Sequence, residues 1–278
     1  MKGLNWRKRP VWLAVFVIVA VLVGAGAIAY AGSTGPDFTP TSENDITNLD
    51  VLRSQIKNYY GDPHGTGVFS QDSNYAKEAR SVAGAGASYL TSAGLRTGLV
   101  KRAIVLDVDD TTLATWNYEI YSNWAYNPTT NANFVNAQAF PAVPGMVDMA
   151  WKAVRAGYAI FFITGRPTTQ EAATLGNLTH DGVGVDAGYP APTPLSGSED
   201  GLFTKPPSPA DYPPYLTAAC SGDPGGKCTT IHYKSATRAH IEAEGYDIVA
   251  NFGDQFSDLL GGYADKTFKL PNPNYYLP

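Results

Sequence analysis

The sequence predicts an α/β fold, a Rossmann-like, doubly wound, mainly parallel sheet with a small helical N-terminal layer, a flap and an irregular insertion. Three observations predict it. Short apolar runs at 103–106, 158–163 and 247–252 recur from residue 102 onward, and strands apolar on both faces belong to parallel sheets covered by helices. Each run is followed by a polar loop and a helical stretch, the alternation that winds such a sheet on both sides. Between the first two runs, Pro144 to Gly157 reads as a helix with Pro at its start and Gly at its stop; Met146, Met149 or Ala150, and Val154 share one face.

From the N-terminus, Lys2, Arg7, Lys8 and Arg9 precede an uncharged stretch, Val11 to Ala31, which is the order of an export signal or a membrane anchor. Ala29-Tyr30-Ala31 offers a small-x-small cleavage pattern, so residues 1–31 are expected to be removed after Ala31. Left uncleaved, residues 11–31 could span a bilayer of about 30 Å and would be the chain's one membrane contact. Residues 32–44, rich in Gly, Pro, Ser and Thr, read as a linker, and residues 45–278 as the folded part. Within it, 45–98 carry helical spacing, with Ile46, Leu49 and Ile56 in one run and Tyr75, Ala79, Val82 and Ala83 in another, broken by GDPHGTG. Residues 99–278 hold the α/β core, interrupted at 176–230 by a Gly-, Pro- and Ser-rich insertion.

Loss of residues 1–31 would remove four basic and no acidic side chains, leaving 16 against 25 and a net charge of −9. So acidic a chain should not bind nucleic-acid polymers through its bulk field. Cys220 and Cys228 flank the polar segment SGDPGGK, and in an oxidising compartment a pair so placed is most simply a disulfide. Closing so short a loop stabilises by about 2.6 kcal/mol in the chain-entropy picture. The spacing excludes a CxxC redox site, and two cysteines are too few for a structural zinc site.

In an open parallel sheet, ligands bind beyond the carboxyl ends of the strands. The first predicted strand ends in Asp107-Val108-Asp109-Asp110-Thr111-Thr112, the second in Thr164-Gly165-Arg166-Pro167, and the third in Gly253-Asp254-Gln255-Phe256-Ser257-Asp258. A lone DxDxT is a weak signal; placed after a buried strand, with two partners in this order, it is a strong one.

The set resembles the haloacid dehalogenase (HAD) superfamily motif by motif. Asp107 stands at the nucleophile position and Asp109 at the general acid/base position; Thr164 matches the second motif, Lys234 the third, and Asp254 with Asp258 the fourth. The run Asn251 to Gly262, followed by Thr267 to Tyr276, looks like the class B acid phosphatase group, subfamily IIIB, which includes plant acid phosphatases and vegetative storage proteins. The resemblance covers about residues 45–278 and implies a Mg²⁺-dependent hydrolase of small phosphate monoesters, working through an aspartyl-phosphate; with the N-terminal segment read as an export signal, the expected enzyme is secreted.

Elementary chemistry asks for the same residue types. A phosphoryl group in transfer gathers negative charge, so cations must hold it while a carboxylate attacks phosphorus. Asp107, the backbone carbonyl of Asp109, and Asp254 offer the hard oxygens Mg²⁺ prefers, with Asp258 a ligand through water or a support for the others. Thr164, Gly165 and the amides of the first loop would bind the phosphate, and Lys234, read as part of a loop before a helix at 235–244, would neutralise it. Asp110 reads as a cap or a loop carboxylate. Arg166 either touches substrate or pairs with a nearby acid. Trp116 and Tyr118, in a stretch of five aromatics between Trp116 and Tyr126, either grip an aromatic leaving group or pack the flap onto the helical layer. His64, His180, His232 and His240 come without the RHG motif of a histidine phosphatase and read as loop or surface residues, only His232 lying close to the proposed site. Two other functions use the same fold: a non-catalytic storage or binding protein, against which the presence of Asp107 and all its partners argues, and phosphotransfer to an acceptor alcohol.

Overall fold

The computed structural model describes residues 48–93, 100–197 and 199–277. The expected signal or anchor at 1–31 and the linker at 32–44 lie outside them. Among the described residues no helix is long and apolar enough to cross a membrane.

Five parallel strands form one sheet: β1 (Lys101–Leu106), β2 (Ala159–Pro167), β3 (Leu202–Lys205), β4 (Tyr246–Gly253) and β5 (Lys266–Lys269), in the order β3-β2-β1-β4-β5. The three apolar runs are the three central strands. Because successive side chains alternate, Ile104, Leu106, Ile160 and Phe162 face one core while Ala103, Val105, Phe161 and Ile163 face the other. A bulge breaks the alternation in β4, where Ala103 pairs with Ile248 but Ile104 with Ala250, so that Val249 and Ala250 both enter the first core.

Helices α1 (Leu49–Tyr59), α2 (Asn74–Ala93), α3 (Trp116–Ser122), α4 (Pro128–Asn136), α5 (Met146–Arg155) and α6 (Glu171–Leu178) precede β3. The first core takes Tyr75, Ala79 and Leu90 from α2 and Met146, Met149, Ala150 and Ala153 from α5; Met146, Met149 and Ala150 belong to the face read from the sequence, whose Val154 packs against this core only partly buried. Burying each large side chain contributes about 1.5–3 kcal/mol. Gly86 lets α2 come this close, since a Cβ there would meet the Phe252 ring at 2.5 Å. Helices α7 (Pro214–Ala219) and α8 (Thr230–Ala243) cover the other face through Leu216, Tyr233 and Ile241, and the short α9 (Phe256–Leu259) follows β4. The doubly wound sheet is therefore present.

Two strands depart from the sequence reading. β3 lies inside the stretch expected to be irregular, whose first residues also complete α6. β5 was not expected. Both are four-residue edge strands, too short to print an apolar run, and Phe268 alone is buried in β5. Cys220 and Cys228 are joined as a disulfide, and both sulfur-bearing residues sit in the second core.

Candidate active site

The chain leaves β1 towards β2 on one side and returns to β4 on the other, which opens a crevice at the carboxyl ends of β1 and β4. Asp107 follows β1 and Asp254 follows β4. Asp258 comes back to them on α9 because Gly253 has no side chain: a Cβ there would lie 2.4 Å from that of Asp258. Asp107, Asp254 and Asp258 are all buried, and each offers a ligand atom within 4.8 Å of the others'.

One cation answers them. The Lys234 ammonium donates to Asp107 Oδ1 and, at 2.6 Å, to Asp258 Oδ1. Lys234 is on α8, in its second turn, rather than in the loop expected from sequence; Thr229 caps the helix earlier, accepting from the His232 N–H. The backbone N–H of Gln255 bonds Asp258 Oδ2 at 2.8 Å. The amides of Gln255 and Asn272 each donate to Asp254 Oδ2 at 2.7 Å, while Thr111 Oγ1 donates to Oδ1 at 3.2 Å. Asp107 Oδ2 accepts no hydrogen bond among the described residues.

Burial pushes the Asp107 carboxyl well above its usual range; Lys234 pulls against this, and Asp258 and Asp254 reinforce it. Burial, then Asp258 and Asp110, push Asp254 up to about 7. For Lys234, burial alone would lower the pKa, but Asp107 and Asp258 together raise it above the ordinary lysine value. Three clustered carboxylates with one ammonium leave surplus negative charge in a buried place. The donor set is hard oxygen throughout, so these residues fit a divalent cation of the Mg²⁺ type.

Asp109, two residues after Asp107, stands at the mouth. Arg166 grips its carboxylate in a fork, Nη2 to Oδ1 at 2.7 Å and Nε to Oδ2 at 3.1 Å, and sends Nη1 to Thr174 Oγ1 at 3.0 Å. Of the two roles open to Arg166, the ion pair is the one formed here. Thr164 is fully buried and its hydroxyl accepts the Arg166 N–H at 3.1 Å; Gly165 beside it is exposed. Asp110 is neither a solvated loop residue nor a site ligand: fully buried and left-handed (φ 53°), it accepts from Thr115 N–H at 2.9 Å and from the Thr115 hydroxyl, closing the turn behind Asp107.

Of the two roles open to the flap rings Trp116 and Tyr118, gripping a leaving group or packing the flap, packing is the one formed here. Trp116 is 1% exposed, stacked 4.1 Å from Tyr60, with Nε1 bonded to Asp62 Oδ2 at 3.0 Å. Tyr118, also 1% exposed, donates to the Asn127 carbonyl. Large rings next to a helical layer bury themselves unless a polar group holds them out. Asp62, in the GDPHGTG break between α1 and α2, also accepts from Thr66 and Gly67 N–H and so anchors the flap. Three of the four histidines pair with acids: His180 with Asp186, His232 with Asp223, and His240 with Glu199.

Residues 38–207 and 215–278 match the family described as HAD superfamily, subfamily IIIB (Acid phosphatase). The chain belongs to that family. Similar plant proteins include the Stem 28 kDa glycoprotein of Glycine max, 32% identical over 64% of this chain and 61% of its own length, and Acid phosphatase 1 of Solanum lycopersicum, 30% identical over 62% and 58%. Vegetative storage protein 1 of Arabidopsis thaliana is 24% identical over 84% of this chain and 75% of its own. The chain thus spans about three fifths of the length of the first two. The class C acid phosphatase from Bacillus anthracis shares the fold, with a TM-score of 0.58 at 20% identity over 81% of this chain and 86% of its own.

The strand-end acids, Thr164 and Lys234 were all visible as family motif positions. Asn272, Gln255 and Arg238 were not. Arg238, fully buried, donates to the carbonyls of Asp258, Leu260 and Gly262 and so holds α9 in place. Its one trace in the sequence was a charge inside a helix whose neighbours are apolar or small.

Proposed function

We propose that the chain is a secreted, Mg²⁺-dependent acid phosphatase that hydrolyses phosphate monoesters through an aspartyl-phosphate on Asp107. The observation that carries this reading is Asp107 itself, buried at the end of β1 with one oxygen on Lys234 and the other unpaired beside two further carboxylates.

Asp107, Asp254 and Asp258, with the Asp109 carbonyl, would hold the cation, whose charge offsets that of the phosphate and the carboxylates. Asp107 Oδ2 attacks phosphorus; its bond to phosphorus forms as the bond to the leaving oxygen breaks. Lys234 and the Thr164 hydroxyl hold the equatorial oxygens, with the exposed backbone at Gly165 beside them. Asp109 gives a proton to the leaving oxygen, then takes one from the water that attacks the aspartyl-phosphate and frees phosphate. Arg166 fixes the plane of the Asp109 carboxyl through both cycles. Secretion is inferred from the charged-then-apolar N-terminal segment and the disulfide.

Hydrolysis of nitrophenyl phosphate at pH 5, with Mg²⁺ and after chelation, tests the reading. Activity is expected that chelation abolishes, Mg²⁺ restores and Asp107→Asn removes from a folded protein. A folded wild-type protein that turns over no monoester would instead leave the non-catalytic storage reading; product appearing as the phosphate ester of an added alcohol would make it a phosphotransferase. The names of its relatives include both an acid phosphatase and a storage protein.

A further inference from the structure

Beside Thr164, on the β3 side of the site, lies a recess of about 250 Å³ lined by Gly165, Lys205, Pro207, Tyr212, Lys227 and Cys228. It is too small for a whole drug-sized ligand and of a size for one substituent. Two lysines meet there in a chain whose overall charge is negative.

The recess is joined to the catalytic groups by the fold. Lys205 ends β3 and pairs across the sheet with Pro167, three residues beyond Thr164. Its ammonium stands 5.8 Å from the centre of the Tyr233 ring, and Tyr233 immediately precedes Lys234 on α8. The recess is also built rigidly. Lys205 Nζ donates to the Cys228 carbonyl at 3.0 Å, the Cys228 N–H donates to the Tyr212 hydroxyl at 3.2 Å, and the disulfide ties Cys228 to the end of α7. The Lys227 side chain forms no hydrogen bond or ion pair among the described residues. Asp223, whose charge also acts on Lys205, bonds His232 Nδ1 at 2.8 Å and accepts from the Thr229 N–H at 3.1 Å. Burial first, and then the Lys234 ammonium, lower the Lys205 pKa; Asp223 pulls the other way and Lys227 lowers it further, so burial and the neighbouring ammonium groups outweigh the one carboxylate that acts on Lys205.

We propose that this recess is a second anion subsite, which takes a carboxylate or phosphate carried on the leaving group, so that the preferred substrates are phosphate monoesters bearing a second anionic group. The inference rests on the phosphatase reading, because Thr164 and Lys234 must hold the first phosphate for the second group to reach Lys205 and Lys227. A fixed lysine offers a charge-assisted hydrogen bond and a free one adds a mobile charge.

The test compares matched pairs of substrates on the Mg²⁺-loaded protein: fructose 1,6-bisphosphate with fructose 6-phosphate, and 3-phosphoglycerate with glycerol 3-phosphate. The doubly anionic member of at least one pair should show a KM lower by about tenfold or more. A preference in the first pair alone assigns the recess to phosphate, and in the second alone to carboxylate. Lys205→Gln and Lys227→Gln should each reduce the preference severalfold while leaving kcat/KM for nitrophenyl phosphate within about twofold. Lys227→Gln guards against a purely structural role of Lys205, since no bond of the fold depends on that side chain. Calorimetric titration of Asp107→Asn with the same pairs reads the preference without turnover, so it decides the matter even if the wild type hydrolyses nothing. No preference in either pair, or a preference unchanged in both lysine variants, overturns the subsite; hydrolysis of nitrophenyl phosphate with such a result would leave the phosphatase reading standing.

Discussion

At Asp107 and Asp109 two carboxylates two residues apart are given opposite surroundings: one buried against an ammonium, the other at the mouth in the fork of Arg166. Their substitutions should therefore differ in kind. Asp107→Asn should lower turnover of every monoester at least about a thousandfold, with the circular-dichroism spectrum unchanged. Asp109→Asn should slow the first step strongly for an alkyl phosphate, whose leaving oxygen needs a proton, and little for nitrophenyl phosphate. The second step should slow for both. Rapid mixing with nitrophenyl phosphate should then show a burst of about one phenol per enzyme and phosphate trapped on Asp107. Equal losses for both substrates, without burst or trapped phosphate, would remove Asp109 from the acid/base role.

Between elements, the decisive contacts are made by segments that look like connections. The stretch after β5 runs past the site, where Asn272 donates to Asp254, Asn274 accepts from Trp124 Nε1 at 3.3 Å and donates to the Tyr60 hydroxyl at 2.9 Å, and Leu277 N–H reaches Gln255. Asn272→Ala should raise the Mg²⁺ concentration needed for half-maximal activity about tenfold, leaving kcat at saturating metal nearly unchanged, because the amide orients a candidate ligand without touching substrate. A kcat loss at saturating Mg²⁺ with no change in metal requirement would count against that role. These contacts also mark the limit of what the sequence discloses. Asp107, Thr164 and Asp254 were legible because each stands directly after, or one residue beyond, a visible apolar run of a central strand. Asn272 was not, since an amide reaching back 18 residues obeys no local period. Lys234 was legible as a residue but misplaced, because α8 begins with Thr230-Ile231-His232, which carries no strong helix signal. Trp116 and Tyr118 were ambiguous between substrate and core: Trp116 is held by Asp62 and Tyr60, more than 50 residues upstream, and Tyr118 by Phe134 and the Asn127 carbonyl.

Across the whole molecule, the buried acids set the response to pH. Burial raises Asp107 well above its usual range and pushes Asp110, Glu119 and Asp254 up to about 7, whereas the unfolded chain releases these protons near pH 4. Between about pH 4 and 7 the folded, metal-free protein therefore binds more protons than the unfolded one, so its stability should fall as pH rises through that window. Asp62 works in the other direction: burial would raise its pKa, but the bonds from Thr66, Gly67 and Trp116 outweigh this and lower it. Its contribution is present above pH 4 and lost only in stronger acid. Thermal melts in chelator should give a higher Tm at pH 5 than at pH 7, and saturating Mg²⁺ should raise the Tm at pH 7 more than at pH 5. A metal-free Tm that climbs from pH 5 to 7 would contradict the burial of these carboxyls.

Lys234 has two carboxylate partners, and this has a consequence for descent. Losing Asp107 would silence the chemistry yet leave the ammonium paired with Asp258 and the pocket less crowded with negative charge, so the lesion carries little penalty in folding. On the proposed reading, a lineage on this scaffold could shed its reaction in a single substitution and keep its fold. Such a route needs no rebuilding of the core, and it would let catalysts and inert reserves arise side by side from one ancestor.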